Sequence, residues 1–66
     1  MNEEMFIRKI HAVFSYKKQM RSEMFEAFLE AYARQYAEAA NDDEEYQQRI
    51  ARARTIIANE AKARMA

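Results

Sequence analysis

One short break in an otherwise helix-favouring chain decides the fold, and it is the segment Ala39-Ala40-Asn41-Asp42-Asp43-Glu44-Glu45. Asn41 tolerates the left-handed conformation that ends a helix where glycine is missing. Asp42 can cap the next helix, and Glu45, three residues later, can reach back in a capping box. The segment therefore predicts that one helix ends near residue 40 and another begins near residue 43.

The composition predicts helices on both sides of this turn. The 66 residues contain no glycine, proline, cysteine or tryptophan, and the strong helix formers are abundant. Hairpin turns and bulges of β-sheets depend on glycine and proline, so the composition argues against an all-β or α/β fold. Without cysteine, neither a disulfide framework nor a thiolate metal site is available. We predict one all-α domain spanning residues 1–66.

Apolar side chains form a stripe before the turn, at three-, four- and seven-residue spacings: Phe6, Ile10, Val13, Met20, Met24, Phe28 and Tyr32. A narrower stripe follows the turn: Tyr46, Ile50, Ala53, Ile57, Ala61 and Met65. Such stripes are typical of helices that pack on neighbours. We predict an antiparallel helical hairpin, with a long first helix over about residues 3–40 and a shorter second helix over about residues 43–65.

A second break is conceivable between Ser15 and Ser22, because Lys17 and Arg21 interrupt the apolar stripe there. Ser22 is a possible cap for a new helix in that case. No residue in the segment opposes a helix, however. We therefore favour one long first helix, bent near this segment, and leave a three-helix arrangement open.

In the hairpin register the second helix is too short to cover the first. About 14 to 16 residues, or roughly 20 Å, of the first helix extend beyond it. An uncovered apolar strip needs a partner. We predict a twofold homodimer that forms a helical bundle. Its expected interface is Phe6, Ile7, Ile10, Val13, Phe14, Met20 and Met24. The groove of another protein and a membrane surface are alternative coverings.

Charge is segregated along the chain although the net charge is zero. Residues 1–21 carry +3, residues 22–46 carry −7 and residues 47–66 carry +4. Opposite charges on the two hairpin helices help to set their pairing, although each exposed pair contributes little. A neutral chain lacks the usual electrostatic footprint of a nucleic-acid-binding domain. A nucleic-acid-binding dimeric regulator is therefore the disfavoured alternative.

Residue types for catalysis or metal binding are sparse. His11 is the only histidine, and the acidic run from Asp42 to Glu45 lacks the glycine and the ligand spacing of a calcium loop. The Glu-x-x-His spacing of di-iron bundles is absent as well. We expect no enzymatic activity, no cofactor and no metal site. No apolar run approaches the length of a membrane span, and the N-terminus does not resemble a secretory signal. We therefore expect a soluble, cytoplasmic protein.

Basic side chains around Phe6 and Phe14 are the predicted surface for a partner: Arg8, Lys9, His11, Lys17, Lys18 and Arg21. Aromatic and arginine side chains are the usual anchors of protein interfaces. The chain also has five methionines, whose flexible side chains adapt to irregular surfaces. We predict a small regulator of the adaptor, inhibitor or anti-activator type that binds a larger protein target as a homodimer.

Two resemblances accompany this prediction. The short turn followed by Glu45-Tyr46-Gln47-Gln48, and then by a helix with Ile56 and Ile57, resembles the two-helix co-chaperones of type III secretion needle subunits. The architecture as a whole resembles the small helical-hairpin proteins of phages and plasmids that dimerise into bundles. The first resemblance implies a secretion-type co-chaperone, and the second implies modulation of a host or replication factor.

Overall fold

The computed structural model describes residues 1–65 and contains three α-helices. Helix α1 spans Glu3–Ser15, α2 spans Ser22–Glu38 and α3 spans Asp43–Met65, and a 3-10 turn at Lys17–Gln19 lies between α1 and α2. No strand occurs among the described residues. The predicted all-α fold is therefore confirmed, and α3 matches the helix predicted over about residues 43–65.

The continuous first helix predicted over residues 3–40 is wrong. The chain leaves α1 at Tyr16 and passes through the 3-10 turn, and Met20 and Arg21 are extended, with ψ angles of 154° and 151°. Ser22 begins α2 as its first residue, while Arg21 occupies the cap position without a side-chain hydrogen bond. The structure thus has the three helices that the sequence left open as an alternative.

The break between α1 and α2 is stabilised by burial of α1 side chains. Phe6 and Ile10 have no exposed surface, and complete burial of such a side chain is worth about 1.5–3 kcal/mol. A lost backbone hydrogen bond costs only about 0.5–1.5 kcal/mol net. Some bonds are also recovered in the turn, where the Gln19 N–H donates to the Tyr16 carbonyl at 3.0 Å. The free energy gained by burying Phe6 and Ile10 therefore exceeds the free energy lost when the helix is interrupted.

The core lies where the three helices meet. Its buried cluster combines side chains from all of them: Phe6, Ile10 and Phe14 of α1, Tyr36 of α2, and Ala53 and Ile56 of α3. The rings of Phe6 and Tyr36 stack with centroids 4.9 Å apart, and Phe14 meets Phe25 edge to face at 5.1 Å. Such aromatic pairs add about 0.5–1.5 kcal/mol beyond the area they bury. The chain itself thus covers Phe6, Ile10 and Phe14 of the strip predicted to overhang, whereas Ile7 stays exposed.

The turn between α2 and α3 is capped largely as predicted. The Asp42 carboxylate accepts a hydrogen bond from the Glu45 N–H at 2.8 Å. The Glu45 carboxylate in turn accepts one from the Asn41 N–H at 3.0 Å. The left-handed conformation predicted at Asn41 is wrong, because no described residue has a positive φ angle. Helix α2 instead ends with the Ala40 N–H donating to the Ala37 carbonyl at 3.0 Å.

Polar contacts fasten both ends of α1 to α3. At the first end, Arg52 donates two hydrogen bonds to the Glu3 carboxylate, at 2.8 and 3.2 Å. At the other end, Arg64 donates to the Ser15 hydroxyl at 3.1 Å and to the His11 carbonyl at 3.3 Å. These contacts add to the burial of Phe6 and Ile10 in holding α1 against the other helices.

Candidate functional site

A groove runs between α1 and α2 on the surface. One part of it has a volume of about 260 Å³ and is lined by Lys9, Ala12, Val13, Tyr16, Met20, Phe28 and Tyr32. A neighbouring shallow hollow of about 340 Å³ lies on α1 alone and is lined by Met5, Arg8, Lys9 and Ala12. The two parts share Lys9 and Ala12, so they form one surface feature. We call it the α1–α2 groove.

Large apolar side chains stand exposed along this groove. Tyr16 is 62% exposed, Met5 47% and Phe28 41%. The floor is formed by buried Val13 and by half-buried Tyr32, whose ring stacks on Phe28 with centroids 6.2 Å apart. A contiguous apolar surface of this kind marks an interaction site more often than scattered apolar residues do.

The helical repeat explains why these side chains share one side of α1. Met5, Lys9, Ala12 and Tyr16 follow one another at spacings of four, three and four residues, so they form a single row along the helix. The core-facing residues Phe6, Ile10 and Val13 form the neighbouring row. One face of α1 therefore enters the core while the adjacent face forms a wall of the groove.

The groove carries positive charge. Its charged lining residues are Arg8 and Lys9. The Arg8 guanidinium pairs with the Glu4 carboxylate at 2.7 Å. The Lys9 ammonium lies 6.0 Å from the centroid of the Tyr32 ring, and within residues 1–65 it forms no ion pair. A cation beside an apolar, aromatic floor is a polar group that can orient a ligand.

The residues predicted as a dimer interface occupy three kinds of position. Four of them are buried in the core of the chain itself: Phe6, Ile10, Val13 and Phe14. Val13 also contributes to the floor of the α1–α2 groove, beside half-buried Met20. Ile7 and Met24 are exposed outside the lining of the groove. The overhang that motivated the homodimer is absent, and homodimerisation itself stays a prediction.

The residues predicted to bind a partner are also divided by the fold. Arg8 and Lys9 line the α1–α2 groove. His11 faces α3, with its Nδ1 atom 3.5 Å from the Glu60 carboxylate. Lys17 lies 5.0 Å over the Phe25 ring, and together with Lys18 it lines a separate hollow near the C-terminal end of α3. Arg21 precedes α2. The six residues therefore do not form one surface.

Five residues that line the α1–α2 groove are absent from the interface and partner-binding residues predicted from the sequence: Met5, Ala12, Tyr16, Phe28 and Tyr32. The sequence places Phe28 and Tyr32 in the apolar stripe of the predicted first helix, and Tyr16 lies outside that stripe. A signal was present in the spacing from Met5 through Ala12 to Tyr16, which forms one helical row. That signal becomes interpretable only once the chain is known to turn back after Tyr16.

A second groove, between α2 and α3, differs in character. Its volume is about 460 Å³, and its apolar lining residues are all half-buried: Leu29, Ala33, Tyr46, Ile50 and Ile57. Its charges are balanced by two acids and two bases, and Arg34 pairs with Glu30 at 3.1 Å. It therefore resembles the crevice between two packed helices and offers fewer exposed apolar anchors than the α1–α2 groove.

The shifted pKa values belong to contacts that hold the helices together. The hydrogen bond from Arg52 lowers the pKa of the Glu3 carboxyl, against a smaller opposing effect of burial. Arg64 lowers the pKa of Glu60 in the same way. Burial, followed by the nearby Glu3 charge, raises the pKa of Tyr36. All of these groups lie outside the α1–α2 groove, so the shifts reflect structural ion pairs rather than a reactive centre.

The segment of residues 1–65 contains no cluster of three or more histidine, cysteine or acidic side chains that is suited to holding a metal ion. None of its helices combines the length and the apolar character that crossing a bilayer requires.

The chain matches no protein-family model, no curated protein and no solved structure. The resemblances to type III secretion co-chaperones and to phage or plasmid hairpin proteins therefore gain no support from these comparisons.

Proposed function

We propose that this chain is a small non-enzymatic module that binds a larger protein through its α1–α2 groove. One observation carries the proposal. Tyr16, Met5 and Phe28 remain exposed around the same groove although the chain buries Phe6 and Ile10 completely. Exposed aromatic side chains next to a preformed apolar floor supply the buried anchors that dominate protein interfaces. Adaptor, inhibitor and anti-activator roles all use a surface of this kind.

The contacts of the arginines favour a protein over a nucleic acid as the partner. Arg52, Arg64 and Arg49 of α3 are engaged by carboxylates of the chain, at 2.8, 2.8 and 3.5 Å. Phosphate-binding surfaces need several bases directed at the ligand. The α1–α2 groove instead offers large apolar side chains and only two bases, Arg8 and Lys9.

The composition of the groove also favours binding over catalysis. General acid–base chemistry needs a proton donor and an acceptor within hydrogen-bond reach of the reacting group. The titratable side chains of the groove are Arg8, Lys9 and two tyrosines. The nearest ion pair, between Arg8 and Glu4, is highly exposed on both sides. The groove therefore lacks the enclosed environment that tunes catalytic groups.

The proposal requires only one copy of the chain. A homodimer that then binds a target remains compatible with it, because Ile7 and Met24 are still exposed outside the groove. The secretion-type co-chaperone is a second form of protein binding. In that case α2 and α3 would correspond to the two helices of the co-chaperone, and α1 would be an additional helix.

Quantitative affinity capture with a matched pair of variants tests the proposal. Phe28 and Ile7 are both 41% exposed, but only Phe28 lines the α1–α2 groove. Wild type, Phe28→Glu and Ile7→Glu are used as baits in lysate of the native host, after circular dichroism has shown equal helicity. We expect a protein that is enriched with wild type to be lost with Phe28→Glu and retained with Ile7→Glu. Retention with Phe28→Glu, or loss with Ile7→Glu, would place the functional surface elsewhere.

A further inference from the structure

The kind of protein segment that binds in the α1–α2 groove can be specified further. We infer that it is an amphipathic helix of the partner protein, with acidic side chains beside its apolar stripe. The inference rests on the proposed function and adds the shape and the charge of the bound segment. Its support comes from the length of the groove, from its walls and from the surroundings of Lys9.

The dimensions of the groove suit a short helix. Its row of α1 residues runs from Met5 to Tyr16, which is about 17 Å at 1.5 Å per residue, or roughly three helical turns. Between Lys9 and Tyr16 one wall comes from α1 and the other from Phe28 of α2, while Val13 lies at the floor. The part between Met5 and Lys9 is lined by α1 alone. A helix that docks in such a groove inserts apolar side chains at i, i+3, i+4 and i+7. Met5 and Met20 provide walls that adjust to the shape of the inserted side chains.

The charge of the groove selects an acidic helix. Lys9 lies in the part shared by the two hollows and has no carboxylate partner within residues 1–65. The acids Glu26 and Glu30 of α2 line the other groove, beside α3. A carboxylate of a docked helix that reaches Lys9 would be partly shielded from water by Tyr32. Its attraction would therefore exceed that of an exposed surface pair.

A second copy of the chain fits this groove less well. A twofold dimer places the same surface on both sides of the interface. Both copies would then bring Arg8 and Lys9 to the interface, and the groove lining contains no acid to pair with these bases. Like charges that meet across an interface are unfavourable.

A membrane surface is also a poorer fit. Interfacial helices insert a protruding apolar face and keep their bases on the polar side. Here the buried residue Val13 is recessed between two helices, and Lys9 lies within the groove rather than opposite the apolar side chains. A surface that carries its cation among the apolar side chains suits a protein helix better than a bilayer.

Selection from a displayed library of amphipathic helices tests the inference. Each peptide has about five turns, with apolar residues at the i, i+3, i+4 and i+7 positions and Glu, Lys or Gln drawn equally at the others. We expect the peptides enriched on wild type to be rich in Glu. For a synthetic copy of an enriched peptide, we expect Lys9→Glu to weaken binding about tenfold or more in fluorescence anisotropy, which corresponds to about 1.4 kcal/mol. Lys62→Glu, a charge reversal on exposed α3 surface, is the control and should leave binding unchanged.

The other outcomes separate this inference from the proposed function. Enriched peptides without a preference for Glu, whose binding is lost with Phe28→Glu, would overturn the acidic helix and leave the groove as a protein-binding surface. Enrichment of no peptide, or of peptides that tolerate Phe28→Glu, would overturn the inference, while the lysate capture decides the proposed function separately. Wild-type dimers that Phe28→Glu dissociates would identify a second copy as the occupant. Anionic vesicles bound through Lys9, without any enriched peptide, would identify a membrane surface.

Discussion

Removing one methylene from each of two isoleucines on α1 distinguishes the observed fold from a long-helix dimer. Ile10 has no exposed surface, whereas Ile7, three residues earlier, is 41% exposed. Ile10→Val and Ile7→Val make the same chemical change on the same helix. In the long-helix dimer both side chains would lie in the interface, whereas in the three-helix fold only Ile10 lies in the core.

The expected magnitudes follow from burial. Replacement of a buried isoleucine by valine costs about 0.5–1.5 kcal/mol, because a methylene is lost from a packed site. A largely exposed site changes stability by less than about 0.5 kcal/mol. A domain of this size has a total stability of about 3–10 kcal/mol, at roughly 0.05–0.15 kcal/mol per residue. The conservative change to valine should therefore leave both variants folded and measurable, which alanine at Ile10 would not guarantee.

Urea unfolding followed by circular dichroism provides the assay. With a slope of about 1 kcal/mol/M for a small domain, Ile10→Val should lower the midpoint by about 0.5–1.5 M. Ile7→Val should leave the midpoint within about 0.5 M of the wild-type value. The midpoints should also be independent of protein concentration. Equal losses for the two variants, with midpoints that rise with concentration, would refute the burial of α1 within a single chain.

Two further predictions concern acid stability and helix capping. The pKa values of Glu3 and Glu60 lie below the ordinary value of 4.5, so the stability they contribute is present above that pH and is lost as the pH falls through the lowered values. Glu3→Gln should therefore make the free energy of unfolding depend less on pH in the acid range. Urea titrations at several pH values measure this dependence. An unchanged dependence would exclude the contact between Glu3 and Arg52. Asp42→Ala should lower the free energy of unfolding by about 1 kcal/mol, because it removes the cap of α3. Asp43→Ala, one residue later, should lower it clearly less in the same assay. Equal losses for the two variants would contradict the capping role of Asp42.

The parts of the fold that the sequence predicted are those decided by local chemistry. The capping residues Asp42 and Glu45 determine where α3 begins, and their side chains bond to backbone groups within four residues. The break after Tyr16 has no comparable local signal, because the segment contains neither glycine nor proline. It arises from the burial of Phe6 and Ile10 against residues far along the chain, which helix propensity does not report.

The candidate surface was predictable only in part for the same reason. Arg8 and Lys9 were identified from the basic character of the N-terminal segment, and they line the groove. Phe28 belongs to the apolar stripe, but the sequence did not show that it stays exposed while Phe6 is buried. That distinction depends on the direction in which α1 crosses α2, which follows from the burial of Phe6 and Ile10 and is supported by the contacts of Glu3 and Ser15 with α3.

The most direct test of the α1–α2 groove uses the methionines of the chain as reporters. Met5 and Met20 line the groove, whereas Met65 lies near the end of α3 beside a different hollow. The measurement is the methyl NMR spectrum of methionine-labelled protein during titration with the partner captured from the host. Binding in the groove predicts that the Met5 and Met20 signals shift in proportion to complex formed while the Met65 signal stays in place. A shift of Met65 with unchanged Met5 and Met20 signals would contradict binding in the groove.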